Sequence, residues 1–223
     1  MSLDHVIPLL LGTIFALLPI ANPVSTAAFF LGITKGDSAK KRNQQATMGC
    51  IYMFWILVAF LIAGSLIMEF FGISIPGLRI AGGLMVCNVG VNMLNPKDDG
   101  MKEESKQECR KKSDISFTPL AMPSLSGPGA IAVTIGLAAE IDHVFDYVII
   151  IVGILIVTMI CYAVLRASSM VVKFFGVAGV DALSRIMGFL LLCVGVQFIL
   201  NGIIGVVTDP EIMQNIISAI KSE

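Results

Sequence analysis

Residues 18–32 read LPIANPVSTAAFFLG. They lie inside the apolar run 7–31, which is long enough to cross a membrane at about 20 residues per crossing. Yet the stretch holds Pro19 and Pro23 together with Asn22, Ser25 and Thr26. Proline removes an amide donor and clashes with the carbonyl one turn back. In hydrocarbon each orphaned backbone group costs several kcal/mol, so a break at that depth is tolerated only where protein or a wet cavity surrounds it. The stretch therefore predicts a spanning helix that is broken on purpose and faces the inside of a bundle.

Composition places that helix in a membrane protein. Of 223 residues 56% are hydrophobic and 14% charged, against roughly 25% charged in an ordinary soluble domain. The N-terminus, MSLDHVIP, has no Lys or Arg before the first apolar run. A secretory signal peptide would carry a basic start and a small-residue cleavage site, so the run is expected to stay as a span. Cys50, Cys87, Cys109, Cys161 and Cys193 are odd in number and lack paired spacing, so neither a disulfide framework nor a zinc motif is expected.

Six apolar runs are long enough to be considered: 7–31, 46–68, 80–94 (starting nearer Ile75), 117–138, 144–165 and 186–207. The expected architecture is all-α, a polytopic membrane protein of six transmembrane helices. A linker of mixed charge, 96–116, separates a first repeat, 1–95, from a second, 117–207. The tail 208–223 reads as a short surface helix, with Ile212, Ile216, Ile217 and Ile220 on one face. Thirteen of the 15 Lys and Arg follow runs one, three and five; only Arg79 and Lys221 do not. The positive-inside rule then puts both termini outside and the linker in the cytoplasm.

The break recurs. Pro19-Ile-Ala-Asn-Pro23 has a counterpart in Pro119-Leu-Ala-Met-Pro123, one hundred residues on. Arg79-Ile-Ala-Gly-Gly-Leu84 resembles Arg185-Ile-Met-Gly-Phe-Leu190, and Val89-Gly-Val-Asn92 resembles Val194-Gly-Val-Gln197. Runs one to three thus repeat as four to six. Three is odd, so the halves are expected to cross in opposite senses. That is the inverted-topology repeat of many secondary transporters, whose sites lie near the midplane between the repeats.

Each break frees carbonyls before it and N–H groups after it. The N–H end favours an anion, and the carbonyls suit a cation or ammonium group; a free amino acid carries both. The candidate substrate-binding set is Asn22, Pro23, Ser25, Thr26, Ser124, Ser126 and Gly127, with Asn92 and Gln197 as extensions of the cavity. Asn92 and Gln197 serve equally well as bonds between helices, and at either break the hydroxyls can instead satisfy the strained carbonyls. No Asp, Glu, His or Lys sits centrally in a run, where proton pumps usually keep one. Coupling is left to sodium, to a proton on an edge group such as Glu69 or Glu140, or to none. No metal set, hydrolase motif or nucleotide loop is seen, so neither enzyme activity nor a cofactor is expected.

Four stretches carry a family resemblance: residues 18–26 (LPIANPVST), 72–83 (GISIPGLRIAGG), 119–129 (PLAMPSLSGPG) and 184–190 (SRIMGFL). On these the chain resembles the MarC family of integral membrane proteins over nearly its full length, apart from the linker. The resemblance implies a six-helix protein of the bacterial inner membrane, within a wider exporter group related to lysine exporters, some of whose members are described as neutral amino acid transporters. It brings no agreed binding residues.

The expected function is a secondary transporter for a small polar solute, such as a neutral amino acid, with its site at broken helices one and four. The alternatives are a narrow channel and a non-transporting scaffold, which predicts fully packed breaks. Expected partners are the solute, the lipid bilayer and a coupling ion, with homo-oligomers open and nucleic acid excluded. Trp55 is the only tryptophan and no aromatic cluster is evident, which argues against a bulky apolar drug.

Overall fold

The structure, a computed structural model, describes residues 3–95, 114–138, 141 and 143–208. Most of the linker (96–113), Glu140, Asp142 and the tail from 209 onward, where the surface helix is expected, lie outside the described residues.

Every regular element described is helical. The elements are α1 (Leu3–Ala21), α2 (Pro23–Ile33), α3 (Ala39–Phe71), α4 (Ile75–Leu94), α5 (Ser116–Leu125), α6 (Pro128–Ala138), α7 (Val144–Arg166) and α8 (Ser168–Val207). Their ends follow local chemistry. Ser38 accepts from the amide of Lys41 at 3.3 Å and opens α3; Ser74 accepts from Gly77 at 3.2 Å and opens α4, each satisfying one orphan donor of a first turn. α3 stops at Gly72, whose φ of 63° is left-handed, the usual glycine ending of a helix.

Five helices are long and apolar enough to cross a membrane: His5–Ile33, Ala39–Gly64, Ile75–Leu94, Val144–Arg166 and Ala178–Val207; α5 and α6, bent by 63° at their junction, make a sixth if the pair is one span. The first run therefore continues through its break as one span, whereas the fourth does not run straight. α5 is a π-type coil, not an α-helix, with extended backbone at Thr118 and Met122 and cis bonds to Pro119 and Pro123. Both extended residues precede proline, which disfavours the α-helical region for its neighbour.

The two halves pack alike. α1 lies on α7 as α5 lies on α3; α2 lies on α8 as α6 lies on α4; α3 meets α6 as α7 meets α2; and α3–α7 and α4–α8 pair across the middle. Glycines set the register. A Cβ added at Gly83 would sit 2.6 Å from the Gly195 carbonyl oxygen, and one at Gly90 would sit 2.7 Å from that of Gly188. α4 and α8 are thus antiparallel and in backbone contact at both points. Gly83 and Gly90 map onto Gly188 and Gly195 at an offset of 105, as do Asn92 onto Gln197 and Pro23 onto Pro128. The structure so corrects the expected pairing of Pro23 with Pro123 at an offset of one hundred. The proline that starts the half-helix after the break is Pro128, whereas Pro123 lies inside α5.

Candidate functional site

The first break is one residue wide. Asn22 has φ 36° and ψ 66°, left-handed, between α1 and α2, a conformation that asparagine tolerates better than most residues. Its side chain accepts from the Ser25 amide at 3.4 Å. That leaves the Ala21 carbonyl short of its usual donor, and the Thr26 hydroxyl takes it at 3.1 Å. Asn22 and Thr26 are buried, at 8% and 6% exposure, and Pro23 is buried at the head of α2. Ser25 is half-buried, and its hydroxyl meets that of Ser184 on α8. The Asn22 amide nitrogen faces the Met93 sulfur on α4 at 3.9 Å, a weak partner.

The second break is longer. Within α5 the bonds span five residues, from the Leu120 amide to the Ile115 carbonyl and from the Ser126 amide to that of Ala121. The Ser124 hydroxyl donates to the Pro119 carbonyl at 2.8 Å. Gly127 has no room for a side chain, because a Cβ would stand 2.9 Å from the Pro123 carbonyl oxygen. Ser126 differs from the others: it is fully buried and its hydroxyl has no partner among the described residues.

The breaks meet at the centre. A Cβ on Gly129, at the start of α6, would lie 3.6 Å from Ile20 of α1 and 3.7 Å from Val86 of α4. Val86 and its counterpart Leu191, again 105 residues on, are both fully buried. Asn92 and Gln197 are not brought to this centre. Both are exposed on α4 and α8, and Gln197 donates to Asn201 on its own helix at 2.9 Å.

Sequence reading missed three features. Gln45 of α3 is 4% exposed, and neither of its amide atoms has a partner among the described residues. It lines a cavity of about 260 Å³ with Lys41, Met48, Asp114 and Ser116. The Ser116 hydroxyl and amide hold the Asp114 carboxyl below the usual carboxylate range. The signal for Gln45 was a polar residue in the second turn of a spanning helix, hidden behind the charged residues ahead of it. Asp146, at 3% exposure, binds the His5 ring at 3.0 Å and accepts from the His143 amide at 3.2 Å, which ties the starts of α1 and α7. Third, α7 brings Tyr162 beside Phe54 and Trp55 in a groove of about 360 Å³. That aromatic group corrects the expectation that none forms, since its members lie a hundred residues apart in the chain.

Such a chain is a polytopic α-helical membrane protein in which two interrupted helices cross at the centre of the bundle. The family profile described as MarC family integral membrane protein matches residues 7–207. Relatives named inner membrane protein MarC include one from Citrobacter koseri, 43% identical over 206 residues, or 86% of this chain and 92% of the relative. Another, from Escherichia coli O1:K1, is 44% identical over 203 residues with the same coverage of each chain. The relative from Salmonella typhimurium is 43% identical over 203 residues, also with that coverage. The chain belongs to the MarC family of integral membrane proteins. No solved structure matches it.

Proposed function

We propose that this chain is a bacterial inner-membrane secondary transporter for a small polar solute, built from two inverted three-span repeats, with its site where the two breaks meet. The single observation that carries the reading is the Ser126 hydroxyl, fully buried at a helix break with no partner among the described residues. A buried polar group left unpaired costs about 1–3 kcal/mol. A solute that supplies the missing bond gives this cost a purpose. Asn22, held left-handed at the facing break, offers an amide nitrogen whose partner is only a thioether. A neutral amino acid fits the demand, with its carboxylate toward the N-terminal end of α2 or α6, where the Ser126 hydroxyl and the Asn22 amide nitrogen can donate to it. The unpaired Gln45 amide, beside the cavity at the Ser116 end of α5, marks an approach to that centre. Among the described residues no group of His, Cys, Asp or Glu is placed to hold a metal ion. The inner-membrane location follows the names of the relatives.

A second reading has its own support. Thr26 and Ser124 already satisfy break carbonyls, as a non-transporting scaffold requires. Counterflow in proteoliposomes separates the two. Vesicles preloaded with unlabelled alanine are given labelled alanine, using the natural protein and its Ser126→Ala and Asn22→Ala variants. A transient overshoot, weakened by both substitutions, is expected. If alanine and a panel of small polar solutes all fail to overshoot, the scaffold reading replaces the carrier.

A further inference from the structure

The start of α5 is pressed against α3. A Cβ added at Gly49 would stand 3.3 Å from the Ser116 carbonyl oxygen. Gln45 lies four residues before Gly49, so it shares the helix face turned to α5. Beside this contact is the cavity of about 260 Å³, ringed by Lys41, Gln44 and Gln45 from α3 and by Asp114 and Ser116 at the entry to α5. One water takes roughly 30 Å³ of liquid volume, so the space suits a small solute. Its charges do not cancel. Asp114 accepts from the Ser116 amide at 2.8 Å, and the bonds from Ser116 hold its carboxyl below the usual carboxylate range. Lys41 acts on Asp114 through its charge, yet its ammonium group is held 2.9 Å from Asp37. One cation thus serves two carboxylates.

Gln45 is unsatisfied in a complementary way. It is 4% exposed, and neither its amide nitrogen nor its carbonyl oxygen has a partner among the described residues. Its amide atoms are covered, but no bond holds them, so a turn of the side chain among its rotamers brings them to the cavity it lines. The missing partners are an acceptor for Nε2 and a donor for Oε1. The surplus carboxylate calls for a cation. A free amino acid supplies all three, and its ammonium and carboxylate groups lie side by side as the two amide atoms of glutamine do. We infer that this cavity is a second solute site, at the linker end of α3 and α5, which holds an α-amino acid with its ammonium group between Asp114 and the Gln45 carbonyl oxygen and its carboxylate at the Gln45 amide nitrogen. The choice of an amino acid rests on the carrier reading above; the site itself is built from residues that the central breaks do not use.

The test is local to the cavity. Gln44 is exposed and lines it, so Gln44→Cys places a reporter thiol there. Cys87→Ser, Cys109→Ser and Cys193→Ser leave only the buried Cys50 and Cys161 beside it. The full chain is held in lipid nanodiscs, with both faces open, and maleimide labelling is timed with alanine, alaninamide or lactate present. Alanine and alaninamide, which carry the ammonium group, are expected to slow labelling; lactate, which lacks it, is not. Asp114→Asn keeps an acceptor for the Ser116 amide and removes the charge, and should raise the alanine concentration needed about tenfold. Gln45→Met should raise it about 2–10-fold. Ser126→Ala should leave protection unchanged. Failure of both ammonium compounds to protect overturns the inference, as does equal protection by lactate. So does protection that ignores both Asp114→Asn and Gln45→Met, or that disappears in Ser126→Ala, because it is then transmitted from the central breaks. Counterflow separates this site from the carrier reading. Counterflow without protection removes the site alone, and protection without counterflow keeps the site and removes the carrier.

Discussion

Ser126 is where stability and use of the site separate. Its hydroxyl is sealed from water and unpaired, so removing it relieves a cost and no bond is lost. Ser126→Ala should leave the unfolding free energy unchanged or raise it by up to about 1 kcal/mol, while solute counterflow falls about 2–10-fold, the worth of one hydrogen bond. Denaturation in mixed micelles and counterflow on the same preparation check the two halves. Asp146 is the opposite case. Its carboxylate takes the His143 amide and the His5 ring, so Asp146→Ala orphans a first-turn donor of α7 and unties α1. A loss of about 1–2 kcal/mol is expected from the cap alone. His5→Ala should cost less than about 1 kcal/mol, since that side chain is half exposed and exposed pairs contribute little. If the histidine variant proves the more damaging, the tie between α1 and α7 resides elsewhere.

At the scale of elements, glycine decides how close two spans come. Gly83→Ala or Gly195→Ala drives a methyl into a facing carbonyl oxygen, at 2.6 and 2.8 Å, and backbone cannot step aside as a side chain can. Each should cost about 1–3 kcal/mol, as overpacking does. Gly12→Ala meets nothing within 4 Å and should be neutral or stabilising by up to about 1 kcal/mol, since alanine is the better helix former. Melting of the three variants in one detergent checks the contrast. The same elements show what the sequence could and could not reveal. Proline and asparagine at residues 19–23 mark a break because their chemistry is local. The span α4 was legible as the apolar run 80–94 starting nearer Ile75, and the structure adds the Ser74 cap that fixes its start. The register of the repeat was not legible from the prolines, because α5 winds in wide turns around Pro119 and Pro123 and shifts the true start of the half-helix to Pro128. A better marker was overlooked: Phe70-Phe71-Gly72 recurs as Phe174-Phe175-Gly176, and both glycines are left-handed, at φ 63° and 66°. Those glycines keep their spacing because each ends a helical stretch at the same place in its half. The unpaired states of Ser126 and Gln45 could not be read at all, since a missing partner is a property of the packed chain.

For the whole molecule, the question that sets everything else is whether α5 and α6 cross the membrane or turn back within it. The 63° bend allows both. Charge does not. If the pair crosses, the loops after α2, after α4 and after α7 share one side, and that side holds thirteen of the fifteen basic residues. If it turns back, Arg166, Lys173 and Arg185 move to the opposite side, where short basic loops are disfavoured. The crossing arrangement also gives each half three spans, which is what makes the repeats inverted and brings the breaks together head to tail. Single cysteines read this directly. In a background with Cys109→Ser, Cys87→Ser and Cys193→Ser, which leaves only the buried Cys50 and Cys161, Lys40→Cys, Ile73→Cys and Met170→Cys each place a thiol at an exposed position. A membrane-impermeant maleimide applied to intact cells that have a permeable outer membrane should label Ile73→Cys. It should spare Lys40→Cys and Met170→Cys until the inner membrane is opened. Labelling of Met170→Cys together with Ile73→Cys would mean that α5–α6 is re-entrant. The halves would then not be inverted copies, and Ser126 would lie on a path open to one side only. Sparing of both Lys40→Cys and Met170→Cys makes α5–α6 a crossing and the two halves inverted copies, the arrangement that the proposed carrier requires.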